Sequence, residues 1–235
     1  MFKTFLTIAV LFLGAGCSPG NINAPEEIQV IDAKKAKDVE ISIYSQKNNI
    51  NLSGGANNLM VGKFHYFLPT RRVNLSYEEI KESGYLKIEE KYFPSIGQFP
   101  KQEQLNAWQL VLSHQLPIDF NISFGEGRAE LDLRQIAVRR LKIDLDKGTM
   151  MLNFMKPFAD SLYARIKNED GQITLKLPSD IGIYVEAADE ATVVNAPGLK
   201  KNGRIFTNEF YKKENTALRF FVSTSGQGKI TVEIP

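Results

Sequence analysis

From Val39 onward, apolar and polar residues alternate along the chain. The apolar positions run Val39, Ile41, Ile43; Ile50, Leu52; Leu59, Val61; Leu86, Ile88; Trp108, Leu110, Leu112; then Ile118, Phe120, Ile122, Phe124. A period of two predicts strands with one buried face. Two stretches, 77–84 and 102–107, lack the pattern and are too short to hold a helix alone in water, so turns or single helical turns are expected there.

The second half carries a repeat. After Gly127, Gly148, Gly171 and Gly228, apolar residues fall at the second, fourth and sixth places: Ala129/Leu131/Leu133, Met150/Leu152/Phe154, Ile173/Leu175/Leu177 and Ile230/Val232/Ile234. Matching strand patterns precede two of these glycines, Ile122/Phe124 and Leu141/Ile143/Leu145. Each unit therefore reads strand, glycine turn, strand. A tight reversal favours positive φ, which glycine adopts without the cost a side chain brings. Units that cannot bury an apolar row alone stack on one another. The expected fold is all-β, short strands stacked into a β-solenoid-like rack, with a two-sheet β-sandwich as the alternative.

The first residues follow another logic. A basic start at Lys3 leads into nine apolar or small residues, Phe5 to Leu13, then Gly14-Ala-Gly-Cys17. That is the form of a secretory signal, and its apolar part is well short of the ~20 residues a membrane-spanning helix needs. Small residues before the one cysteine resemble the lipobox of bacterial lipoproteins, although Leu13 stands one place earlier than the usual large aliphatic residue. Cys17 is then the lipidated N-terminus, and several acyl chains hold a protein stably to a membrane. Ser18 lacks the aspartate associated with inner-membrane retention, which points to the outer membrane if the host has one. The expected organisation is a signal peptide over 1–16, a lipidated tether with two prolines over 17–27, and a β domain over 28–235, with an N-terminal part to about 115 and the repeat region from about 116.

The run Leu116-Pro-Ile-Asp-Phe-Asn-Ile-Ser-Phe-Gly-Glu-Gly127, continued by Arg-Ala-Glu-Leu-Asp-Leu133 and Leu141-Lys-Ile-Asp-Leu145, resembles the toast-rack family of bacterial envelope proteins. Trp108-Gln-Leu, Leu59-Met-Val-Gly-Lys-Phe64, Gly84-Tyr-Leu-Lys-Ile88, Gly171-Gln-Ile-Thr-Leu-Lys-Leu-Pro178, Ile181-Gly-Ile-Tyr-Val185 and Gly228-Lys-Ile-Thr-Val232 fit the same pattern. The resemblance implies an all-β domain of short repeated strands, similar to the C-terminal part of LiaF-like envelope-stress regulators and to adhesin-like proteins. Those regulators carry transmembrane helices, for which this sequence offers no segment.

Composition narrows the function. Lys and Arg number 29 against 27 Asp and Glu, for a net charge of +2. The basic doublets Arg71-Arg72, Arg139-Arg140 and Lys200-Lys201 are dispersed, so no nucleic-acid partner is expected. The two histidines, His65 and His114, lie far apart, and there is no serine in Gly-x-Ser-x-Gly and no phosphate-binding glycine loop. No catalytic residue, metal site or cofactor is assigned. The glycine-rich Gly125-Glu-Gly127 region lacks the recurring acid of calcium-binding repeats. A pair of carboxylates on neighbouring strands, such as Asp132 and Asp144, has the potential to serve a glycan-acting enzyme, though both fall on the polar side of the alternation. The expected function is a non-enzymatic, surface-anchored binding or scaffolding lipoprotein of the cell envelope; a stress regulator binding a membrane sensor and a glycan-acting enzyme are the alternatives. Partners are the membrane, through lipid, and an envelope protein or polysaccharide. Candidate binding residues are Trp108, Tyr184, Phe210 and Tyr211, aromatic rings able to face a sugar or another protein. Tyr184 points opposite to Ile181, Ile183 and Val185.

Overall fold

The alternating segments become strands because each can turn one row of apolar side chains away from water while its backbone groups pair with neighbours. The computed structural model describes residues 25–68, 70–93, 105–154, 161–211 and 217–235. The leader, Cys17 and the tether to residue 24 lie outside the described residues. The strands are β1 (Glu26–Ile31), β2 (Asp38–Ala56), β3 (Met60–His65), β4 (Arg71–Ile80), β5 (Ser83–Tyr92), β6 (Asn106–Ser113), β7 (Pro117–Asp132), β8 (Ala137–Leu145), β9 (Thr149–Asn153), β10 (Leu162–Asn168), β11 (Gln172–Lys176), β12 (Gly182–Ala187), β13 (Val194–Asn195), β14 (Lys200–Asn202), β15 (Ile205–Thr207), β16 (Ala217–Thr224) and β17 (Lys229–Glu233).

Pairing resolves these into parallel rungs. Each rung is one strand that bends in its middle, or two strands joined by a tight turn, and its two halves belong to two faces. One face runs β5, β2, β7, β8, β10, β16, β12, all parallel. The other runs β6, β2, β7, β9, β11, β17, β13, also parallel. Both ends of the stack switch to antiparallel pairing: β4 on β5, and β3 then β1 on β6, at one end; β15 then β14 on β12 at the other. Pairing crosses residue 116 without a break, because β2 lies against β7 along most of its length. Exposed lysines 200 and 201 on the outermost strand β14 discourage further strand addition at that edge.

The inward rows of both faces form one core. In β2 the buried positions are Val39, Ile41 and Ile43 before the bend and Ile50 and Leu52 after it, so the bend shifts the parity. In β7 the same shift separates Ile118, Phe120, Ile122 and Phe124 from Ala129 and Leu131. Phe154, at the end of β9 on one face, meets Phe220 of β16 on the other edge to face, with ring centroids 5.8 Å apart. Of the twelve predicted repeat positions, eleven are buried and Ile234 packs against the core half-buried.

The glycines stack in a column at the bends. Gly127, Gly148, Gly171 and Gly228 each precede residues that pair in register, Arg128 with Thr149, Thr149 with Gln172, and Gln172 with Lys229. Positive φ explains only the first of them, Gly127 at 120°. The others are required by close approach: a β-carbon at Gly148 would lie 2.9 Å from the Gly127 carbonyl oxygen, and one at Gly171 would lie 2.6 Å from that of Gly148. Buried side chains secure the same bends. Asn168 donates to the Gly171 and Lys229 carbonyls at 2.9 and 3.0 Å and accepts from the Gly171 amide at 3.0 Å, tying one rung to the next. The buried Glu90 carboxylate accepts the Gln46 and Lys47 amides at 2.6 and 3.0 Å, neutralised by Arg71 at 2.9 Å.

Three local expectations change. Residues 77–80 continue strand β4, and only Lys81 and Glu82 turn, with Lys81 at φ 60°. In 102–107, Asn106 and Ala107 open β6, and 102–104 lie outside the described residues. In β3 the inward residues are Met60, Gly62 and Phe64, so Val61 faces outward and Leu59 is buried from the preceding turn.

Two substitutions test this packing. Val232→Asp places a charge in the sealed core, a cost of several kcal/mol against a typical total stability of about 5–15 kcal/mol, and should abolish the cooperative urea transition seen by circular dichroism. Gly171→Ala should keep the fold but lower its stability by about 1–3 kcal/mol, read from the midpoint of the fluorescence transition of buried Trp108.

Candidate binding face

Strands β8, β10, β16 and β12 lie side by side, and register fixes what they present outward. Tyr163 of β10 stands opposite Arg219 of β16, which stands opposite Tyr184 of β12. In the next row Arg165 faces Phe221, which faces Glu186. The rings meet along the diagonals: Tyr163 stacks on Phe221 at 5.1 Å, Phe221 lies 6.1 Å from Tyr184, and Tyr184 lies 5.0 Å from Tyr211. Four aromatic rings thus cross three parallel strands in a continuous band. Tyr163 is half exposed, at 51%, and the other three are partly covered by one another.

Tyr211 reaches the band because Asn208 clamps its turn to β12. The Asn208 side-chain oxygen accepts the Ile183 amide at 2.9 Å and the Tyr211 amide at 3.2 Å, and its nitrogen donates to the Ile181 carbonyl at 2.6 Å. The Tyr184 hydroxyl donates to Glu186 at 2.6 Å. That hydrogen bond, with partial burial and the nearby carboxylate charge, pushes the phenol up to about 12.

The other sequence candidates fall elsewhere. Trp108 is 1% exposed and packs edge-on against Phe64 with centroids 5.8 Å apart, so its ring is core and offers no surface. Phe210 is half-buried in the turn beside Tyr211. Cys17 lies outside the described residues. Tyr163 completes the band of rings, and Phe221, Arg165, Arg219 and Asn208 complete the face without having been singled out as binding residues. The parity of Phe221 was hidden inside the apolar run Phe220-Phe-Val222, and Asn208 reads as an ordinary loop residue.

Several charges elsewhere pair with one another. A bulge at β8 turns both Arg139 and Arg140 toward Asp119, at 3.2 and 2.6 Å, and Arg139 also reaches Asp38 at 3.4 Å. A groove of about 590 Å³ runs along the rung bends, lined among others by Lys47, Glu126, Asp144, Lys167 and Glu169. Lys47 pairs with Glu126 at 3.2 Å and Lys167 with Glu169 at 2.9 Å, while Lys142 takes Asp144 at 3.1 Å. Asp132 pairs with Arg134 at 2.7 Å on the opposite face of the stack. Asp132 and Asp144 therefore cannot flank one glycosidic bond, which removes the carboxylate pair on which a glycan-acting enzyme was considered. His65 sits 3.2 Å from Glu26 at the far end of the stack, and His114 is exposed in a turn. Among the described residues no cluster of three metal-ligating side chains forms, and no helix is long and apolar enough to cross a membrane.

Residues 19–176 match the model of the N-terminal domain of toast_rack, DUF2154. The chain belongs to the toast-rack family. No curated protein matches it. Its fold is similar to the crystal structure of a "putative cell adhesion protein" from Clostridium sporogenes ATCC 15579, with a TM-score of 0.79 and 23% identity over 90% of this chain and all of that one. At that identity the likeness establishes a shared toast-rack fold. A "putative adhesin" from Bacteroides fragilis NCTC 9343 aligns over 91% of this chain and 98% of its own at 9% identity, and its TM-score of 0.28 carries no argument.

The Tyr184–Glu186 bond can be checked directly. Glu186→Gln removes the charge that holds the phenol protonated, so Tyr184 should ionise closer to the ordinary value near 10, measured by difference absorbance of tyrosinate between wild type and variant.

Proposed function

We propose that this toast-rack protein is a non-enzymatic binding protein of the bacterial cell envelope, held to a membrane by lipid on Cys17, with the band of Tyr163, Phe221, Tyr184 and Tyr211 as its contact surface. The observation that carries this reading is the band itself. A soluble β domain gains core stability by turning rings inward, and four rings set together on an outer face favour contact with something else. Aromatic side chains suit that task because they offer large areas with few rotatable bonds to freeze. The backbone beneath them is a set of fully paired parallel strands, so the surface is preorganised. The lipobox-like leader and the prolines of the tether support an address outside the cytoplasm, with the domain free to reach away from the lipid.

Two measurements separate this reading from its rivals. Purified unlipidated chain, begun at Ser18, should be retained by isolated bacterial envelopes, and the triple variant Tyr163→Ala/Tyr184→Ala/Tyr211→Ala of the same chain should lose at least about tenfold in retention while its circular dichroism is unchanged. Equal retention of wild type and variant would refute the assigned face. For the anchor, Cys17→Ala should leave an uncleaved precursor without lipid; normal processing in that variant would show that Cys17 is not the attachment point.

A further inference from the structure

We infer that the ligand of this face is an anionic glycan polymer, held by ring faces against its sugars and by Arg165 and Arg219 against its carboxylates or phosphodiesters. The inference rests on the contact face proposed above and names the chemistry it takes. Its basis is a square of four side chains on two adjacent strands. Strand β10 contributes Tyr163 and Arg165, and β16 contributes Arg219 and Phe221, with Tyr163 opposite Arg219 and Arg165 opposite Phe221. The two rings touch across one diagonal, with centroids 5.1 Å apart. The two guanidinium groups take the other diagonal, where side chains on neighbouring strands start roughly 7–8 Å apart.

What sets these arginines apart is that neither has an ion pair among the described residues. The cations around them do: Arg139 and Arg140 on Asp119, Lys142 on Asp144, Lys167 on Glu169. Glu186, the outward carboxylate across β16 from Arg165, is engaged by the Tyr184 hydroxyl at 2.6 Å. Two cations without an ion pair placed between stacked rings, on strands whose other described cations are paired, are complementary to a ligand that is both flat-faced and negative. Guanidinium presents a fork of donors that fits a carboxylate or a phosphate in two-point contact, and it is weakly hydrated enough to do so beside an aromatic ring. A polymer lying across the strands meets Tyr163, Arg219 and Tyr184 in one row and Arg165 and Phe221 in the next, so cations and rings alternate along its path. Single-stranded nucleic acid shares the negative charge and the flat bases, but such sites track the backbone with a basic groove. Here the described residues of β8, β10, β16 and β12 offer two cations without an ion pair, in a chain whose net charge is +2.

The test is binding of the purified mature chain, by biolayer interferometry, to four immobilised probes: polygalacturonate, a phosphodiester-linked phosphomannan, neutral dextran and oligodeoxythymidylate. The expected result is binding to at least one of the first two that weakens with added salt, with the tighter of the pair identifying carboxylate or phosphodiester as the recognised group. The double variant Arg165→Gln/Arg219→Gln should lose about tenfold or more in affinity for that polymer, as expected for removal of two charge-assisted contacts, with an unchanged urea midpoint. Both side chains are outside the core, so the fold is preserved. Dextran or oligodeoxythymidylate binding as tightly as the anionic glycans, or a double variant that binds like wild type, overturns the inference. If neither anionic polymer is retained while envelopes still are, through the ring face, the inference on ligand chemistry falls and the binding function stands.

Discussion

The structure depends on how closely successive rungs approach at their bends. Parallel strands pair at a fixed spacing, and here the pairing continues through each turn: the Gln172 amide donates to the Gly148 carbonyl, and the Lys229 amide to that of Gly171, both at 3.0 Å. A β-carbon at Gly171 would stand 2.6 Å from the Gly148 carbonyl oxygen, and one at Gly228 would stand closer still to that of Glu169, both closer than van der Waals contact, so glycine is the residue that lets the turns nest. Once the turns nest, every inward residue of one rung lies on its counterpart in the next, and the two apolar rows of each rung become two continuous walls of a single core. The buried amide of Asn168 and carboxylate of Glu90 satisfy backbone groups at bends that would otherwise be costly to desolvate.

That architecture was readable in the sequence to the extent that it is periodic. Alternation exposed the strands, and the recurrence of glycine two places before an apolar row exposed the rungs and their stacking. The reason for the glycines was only partly legible, because the φ that Gly127 needs is a local property whereas the contact at Gly171 belongs to two rungs distant in sequence. The same limit hid the inward row of β3. Gly62 has no apolar side chain to count, and the Phe64 ring folds over the space it leaves, 2.7 Å from where a β-carbon would stand. Trp108 alternates correctly with Leu110 and Leu112 and proves to be core for that reason.

The binding face was less legible, and for a physical reason. Outward positions are not constrained by packing, so only Tyr184, flanked by three inward aliphatic residues, declared its direction. Tyr163, Phe221 and Tyr211 come from strands and a turn that are neighbours only after the rungs have stacked, and the arginines between them carry no sequence signal at all. The ion pairs tell the complementary story: Arg139-Arg140 looks like a basic doublet in sequence and is consumed by one aspartate in space.

The order of the rungs is not the order of the chain. The rung formed by β16 and β17 lies between β10–β11 and β12–β13, although β12 and β13 come earlier in sequence. Until residues 217–233 are in place, β12 has only β15 beside it, and β13 has no described partner strand. The stack is thus closed by a keystone that follows its neighbours in the chain, and a polypeptide emerging from its N-terminus leaves this end of the stack open until residues 217–233 have appeared.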